Sequence, residues 1–333
     1  MAIYLCGVLA GIVCGYLILN TTFRRPPAMV ASSVRVLGFS GPLGAFLAAW
    51  GGIAMLTSAP FDNWWHNAYG LDVKIISPPH TLLMLGTVAV DIGSLFLILA
   101  AMNRAVQQET LFRRLQRLLL YLSGLLLMAG MFFCTEYTRD VMLHGTLPYI
   151  AVSICVPVCF AVVWMIARHR WALTIIAAIY TAATIGFILV LPLFPAQPKL
   201  GPVYQTVTHF VPPQFPLLLL IPAVLLDLLW ARIGNRGKLL TALVSAPVFV
   251  LSLVAAEWPF AGFLMTKAAE NRFFATGHYP YMVPPWSPSV LRQFVHSAHG
   301  LALVRGLGFA TICAAITLWL GLSVGAWMRK IQR

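Results

Sequence analysis

Charged residues are scarce in this chain: Asp, Glu, Lys and Arg make up 9% of 333 residues, against 60% hydrophobic ones. With a mean hydropathy of +0.86, that excludes a freely soluble enzyme and puts the chain in the membrane class. Runs of alternating apolar and polar residues are also lacking, which excludes a lipid-spanning barrel, and an open sheet cannot leave its backbone groups unpaired in hydrocarbon. What remains is an all-α fold, a polytopic bundle of transmembrane helices. Low-complexity stretches are absent, and the largest outer segment, about 257–299, is too short for a core of its own, so residues 1–333 are expected to form one integral membrane domain. The six cysteines (Cys6, Cys14, Cys134, Cys155, Cys159, Cys313) include no CxxC pair and sit in or beside apolar runs. They read as small apolar residues with no ligand or disulfide role.

Apolar runs of membrane length predict nine helices, over about 2–20, 36–57, 81–101, 118–135, 147–167, 172–193, 215–233, 239–256 and 300–327. The first run is followed by Arg24 and Arg25 and preceded by no basic residue, so it is expected to stay as a span rather than serve as a cleaved signal. Lys and Arg in the segments after spans one, three, five and seven and in the C-terminal tail total 15, against 6 in the alternate segments. The positive-inside rule then puts the N-terminus outside and the C-terminus in the cytoplasm of a cell inner (plasma) membrane. The net charge of +13 thus reports orientation, and nucleic acid is not expected as a partner.

That orientation sorts the histidines. His66, His80, His144, His209, His278, His296 and His299 fall on the outer side and only His169 on the inner. Asp62, Asp72, Glu136, Asp140, Glu257 and Glu270 are outer too, with Asp91 and Asp227 inside spans. Acidic residues avoid the inner side weakly, but histidine has no such bias. The skew points to an outward-facing polar or metal site, and the outer loops 58–80 and 257–299 carry the polar residues for it.

One constellation carries chemistry. Asp62 and His66 are four residues apart, which on a helical turn places carboxylate and imidazole on one face. His80 follows Ser77, a residue suited to capping a helix, and Pro78-Pro79, suited to its first turn. A turn at Gly70 would fold the chain back and bring His80 beside the other two. Two imidazoles and one carboxylate suit copper, with iron or zinc as alternatives. Trp64, Trp65 and Tyr69 would wall the site; an interfacial aromatic belt would place them there equally well.

At these residues the sequence resembles the copper membrane monooxygenases, the ammonia and methane monooxygenase family, and among their components the membrane-embedded one whose aspartate and two histidines hold copper. Asp62, Trp65-His66, Asp72 and Pro78-Pro79-His80 follow the order of that motif, with thirteen residues between the two histidines. The resemblance implies copper held by Asp62, His66 and His80 at the outer membrane face, and oxidation of a small apolar substrate by this chain or an assembly it joins. Other membrane subunits or further copies of the chain are then expected partners besides the lipid bilayer. The competing class is a non-catalytic metal-handling protein or an accessory subunit of a respiratory or oxidase complex. His296 and His299 could furnish a second site, but interfacial histidines bonded to water or backbone are the simpler reading, as for His144 and His209. Arg305 is expected to pair with Asp91 or Asp227, because a charge inside a span calls for a partner.

Overall fold

A computed structural model describes residues 2–70, 77–197, 203–233, 236–277 and 283–332. In chain order the elements are α1 (Ala2–Phe23), α2 (Pro27–Ala31), β1 (Val34–Val36), β2 (Phe39–Gly41), α3 (Leu43–Tyr69), α4 (Pro78–Arg104), α5 (Glu109–Cys134), α6 (Leu147–Ala167), α7 (Ala172–Val190), α8 (Leu220–Ile233), α9 (Lys238–Leu264), α10 (Pro288–Leu291) and α11 (Gly300–Met328). β1 and β2 pair antiparallel, Arg35 opposite Ser40. Eight helices among the described residues, all but α2, α8 and α10, are long and apolar enough to cross a membrane. The chain is therefore an almost entirely helical protein with the apolar helices of a multi-pass membrane protein.

The run at 215–233 does not become a full-length helix. α8 begins only at Leu220 and has 14 residues. Pro212, Pro213 and Pro216 deny the preceding stretch the amides and backbone angles a helix needs. Its freed groups are met by side chains instead: the Leu217 amide donates to the Tyr180 hydroxyl at 3.1 Å, and the Leu218 amide to Glu257 Oε2 at 2.9 Å. Irregular backbone between apolar helices persists only where protein groups satisfy it, and Leu217 and Leu219 are buried.

By backbone contacts the chain forms two compact units, Met1–Leu122 with Trp327–Arg333, and Ser123–Ala326. In the first, α3 packs on α4 and α1 through glycine. Gly44 and Gly51 on α3 face Gly93 and Gly86 on α4, and both pairs are seven residues apart, a stride that keeps one face of two antiparallel helices in register. A Cβ on Gly51 would lie 2.5 Å from the Gly86 carbonyl oxygen, and one on Gly86 2.8 Å from that of Gly51. Backbone meets backbone here. The same stride reaches Ser58 on α3 and Pro79 on α4, both buried. Gly52, adjacent to Gly51, turns the other way, its absent Cβ 2.5 Å from the Gly7 carbonyl of α1. The tandem glycines thus let α3 sit tight against two helices at once. At the far end of α4, the Asn103 amide donates to the carbonyls of Arg329 and Ile331 at 3.2 and 2.6 Å, tying down the C-terminal residues.

The second unit uses similar means. Gly321 and Gly325 of α11 lie against Val158, Ala161 and Met165 of α6, and the Thr317 hydroxyl donates to the Ser153 carbonyl at 2.8 Å. α8 packs on α7 and α9, with the Trp230 indole donating to Ser245. Asp227 is not paired with Arg305, which is exposed. Its carboxylate instead accepts from the Leu173 amide at 3.3 Å and from the Thr174 amide and hydroxyl, each at 2.8 Å. A side chain from α8 therefore caps the start of α7, where free amides and the helix dipole favour negative charge.

Replacing Gly51 by Leu should lower the melting temperature of the detergent-purified protein by an amount corresponding to about 1–3 kcal/mol or more, because the backbones cannot separate without losing the whole seam. Gly15→Leu on α1, where an added Cβ meets nothing within 4 Å, is the matched control and should be near neutral. Equal melting of the two variants would refute the close-approach argument.

Candidate metal centre

The segment expected as an outer loop over 58–80 is mostly helix. α3 runs on through Pro60 to Tyr69, and α4 starts at Pro78. Pro60 removes one amide but does not stop the helix, so Asp62 and His66 lie one turn apart on the same α-helical face, as their spacing requires. Gly70 then ends α3 with φ at 84°, a left-handed value suited to glycine at a helix C-terminus. Asp72 lies outside the described residues. Ser77 takes the N-cap position of α4, but its hydroxyl makes no capping bond, and Ser77 Oγ is buried with no hydrogen-bond partner among the described residues.

The three residues meet at one oxygen. His66 Nε2 lies 3.4 Å and His80 Nε2 3.6 Å from Asp62 Oδ1. The separation of the two imidazole nitrogens is therefore bounded by the sum of those distances. That oxygen is buried and has no hydrogen-bond partner among the described residues. Both distances are too long for hydrogen bonds. Donors about 2.0 to 2.1 Å from a tetrahedral ion lie roughly 3.4 Å from one another, so two of the three donor-to-donor edges of a metal centre are near the required length. Among the described residues, however, no group of three or more His, Cys, Asp and Glu side chains, this triad included, is arranged so that it could hold a metal ion.

His66 is oriented from behind. Its Nδ1 lies 3.0 Å from the Gly70 carbonyl oxygen, which can only accept, so Nδ1 is the donor in that contact and the ring is turned with Nε2 facing Asp62. The Gly70 amide in turn donates to the His66 carbonyl at 3.0 Å. A backbone carbonyl fixing the tautomer and direction of an imidazole is the usual outer support of a ligating histidine. Sequence reasoning assigned Gly70 a turn and missed this second role, although a glycine four residues beyond a helical histidine is the signal that could have exposed it.

The aromatic residues form one cluster beside the triad. Trp65 and Tyr69 have ring centroids 4.5 Å apart, Phe61 stacks on Trp64 at 5.9 Å, and Trp64 meets Tyr69 edge-on at 6.0 Å. Trp64 and Tyr69 keep outward faces exposed. The triad is about one-third exposed, so a small molecule can reach it.

Other histidines are engaged elsewhere. His144 is stacked between Phe294 at 3.7 Å and Trp258 at 4.5 Å, with Nε2 3.0 Å from the Trp258 carbonyl. His209 Nδ1 is 2.7 Å from the Thr208 hydroxyl. His296 sits at a left-handed backbone position before α11, and His278 lies outside the described residues. His169 Nδ1 accepts from the Trp171 amide. Of the remaining acids, Glu257 is spent on the Leu218 amide, a role the sequence did not suggest.

Comparison with protein-family models, with curated proteins and with solved structures returned no match.

Asp140, in the turn between α5 and α6, differs from the triad. Burial pushes its carboxyl above the usual range, outweighing the Val141 amide at 2.9 Å and the nearby Arg139 and Arg292. A folded-state value above the unfolded one means that its contribution to stability is fully present below the unfolded value of about 4 and is lost as pH rises through the folded one. Asp140→Asn should therefore match the parent at low pH and melt higher as pH rises past that range. Melting curves collected against pH that run parallel at every pH would refute the assignment.

Proposed function

We propose that Asp62, His66 and His80 bind a copper ion, with iron or zinc as the alternatives, and that the protein oxidises a small apolar substrate at that centre or serves an assembly that does so. The observation that carries the reading is Asp62 Oδ1: a buried carboxylate oxygen with two imidazole nitrogens turned to it at donor-to-donor distances and no hydrogen bond among the described residues to satisfy it. A desolvated anionic oxygen without a donor is costly, and a cation shared with two neutral imidazoles removes that cost. Copper is preferred over zinc on intrinsic affinity, and a bound copper with open positions supplies one-electron chemistry toward dioxygen. The residues themselves do the rest. Asp62 contributes the charge, Gly70 holds His66 in the ligating tautomer, the start of α4 carries His80, and the Trp65–Tyr69 pair shields one side while Trp64 and Tyr69 leave an apolar approach from the lipid.

Metal analysis of the detergent-purified full chain is the test. About one copper per chain is expected, with occupancy falling at least tenfold in Asp62→Ala, His66→Ala and His80→Ala. Copper(II)-loaded protein should show nitrogen hyperfine splitting from two imidazoles, reduced to one in either histidine variant. No stoichiometric metal, or equal loading of all variants, would sink the reading; zinc bound in the same place with no copper preference would leave a structural or accessory role.

We further infer nine crossings, α8 with its extended lead-in making the ninth, the N-terminus and the metal centre outside the cell inner membrane and the C-terminus in the cytoplasm. α8 spans only about 21 Å, but the extended stretch before it adds the missing length. The support is the 15 to 6 distribution of basic residues. A C-terminal alkaline phosphatase fusion should be inactive and a fluorescent protein fusion bright. The reverse pattern would overturn both the orientation and the outer placement of the metal centre.

A further inference from the structure

The start of α5 carries a feature that the metal centre does not use. Thr110, Arg113, Arg114 and Arg117 recur at the spacing of one helical face, and with Glu109 they line an open concavity of about 470 Å³. Glu109 pairs with Arg113 across one turn. Arg114 and Arg117 have no carboxylate against them among the described residues, so the concavity keeps a positive excess, to which the partial charge of the helix N-terminus adds. One turn further along the same helix the surface changes character: Leu118 and Tyr121 are exposed at 44% and 51%. A cationic, forked-donor surface thus passes into an apolar strip on a helix long enough to enter the bilayer.

We propose that this concavity binds the phosphate of an anionic phospholipid, with Arg114 and Arg117 as the headgroup ligands and the Leu118–Tyr121 strip as the seat of the acyl chains. Guanidinium groups match phosphate oxygens in a two-point geometry that ammonium cannot reproduce. Charge complementarity selects an anionic headgroup. The adjoining apolar strip selects a lipid over free phosphate, because a free ion would use only half of the surface. Clustered basic residues at the membrane end of a helix attract anionic lipid by roughly fivefold in affinity per residue.

The test is thermal unfolding of the full chain in neutral detergent, titrated with phosphatidylglycerol, phosphatidylcholine or inorganic phosphate. Phosphatidylglycerol should raise the melting temperature saturably, and the other two should not. Arg114→Gln with Arg117→Gln should raise the half-saturating phosphatidylglycerol concentration at least tenfold. If that pair already melts lower in detergent alone, Arg114→Lys with Arg117→Lys decides: it should restore the melting temperature and part of the lipid response. Equal stabilisation by both lipids, an unchanged titration in the glutamine pair, or a full response to inorganic phosphate would each overturn the proposal, the last in favour of a free-anion site.

Discussion

The close approach of α3 and α4 is the constraint on which the candidate site depends. In a bilayer, burying apolar surface between helices gains little over leaving it in lipid, so association must come from packing and from hydrogen bonds. Gly44, Gly51, Gly86 and Gly93 remove the side chains that would hold the two backbones apart, and the seven-residue stride fixes which faces meet. With the seam set, the end of α3 and the start of α4 arrive together. Asp62 and His66 come from one helix and His80 from the other, so the convergence on Asp62 Oδ1 is a product of the seam as much as of the three residues. A helix of 27 residues extends about 40 Å, beyond a hydrocarbon core of about 30 Å, which leaves room for polar groups at its end.

The triad was legible because both of its determinants are local. The four-residue spacing of Asp62 and His66 needs only helical geometry, and Gly70 with Ser77-Pro78-Pro79 marks where one helix stops and the next starts. The extent of α3 was not legible, since Pro60 and the polar residues after it look like a loop until the packing of Ser58 and the residues before it carries the helix onward. The role of Asp227 was hidden for a different reason. Its partners, Leu173 and Thr174, are backbone and hydroxyl groups more than fifty residues away, and nothing in the pattern of charges points to them. A search for a partner cation leads naturally to Arg305, but free amides and a hydroxyl at a helix N-terminus can also hold a carboxylate.

The same holds for Glu257 and Tyr180. From sequence, an acidic residue near a span end suggests a ligand or a proton carrier. In the fold these two side chains serve as acceptors for amides that prolines have left without helical partners. The polar residues of the apolar runs therefore divide by geometry: those facing freed backbone are engaged within the bundle, while Asp62 keeps an oxygen that no described donor meets.

The broken approach to α8 makes that helix dependent on its neighbours. A 14-residue helix that carries an aspartate is a poor substrate for insertion by itself, since an aspartate at the centre of a lone helix costs about 3 kcal/mol. Its carboxylate accepts hydrogen bonds at the start of α7, and the amides ahead of it are met from α7 and α9. Those contacts exist only once all three helices are present, so the conformation of α8 and its lead-in depends on α7 before it and α9 after it in the chain.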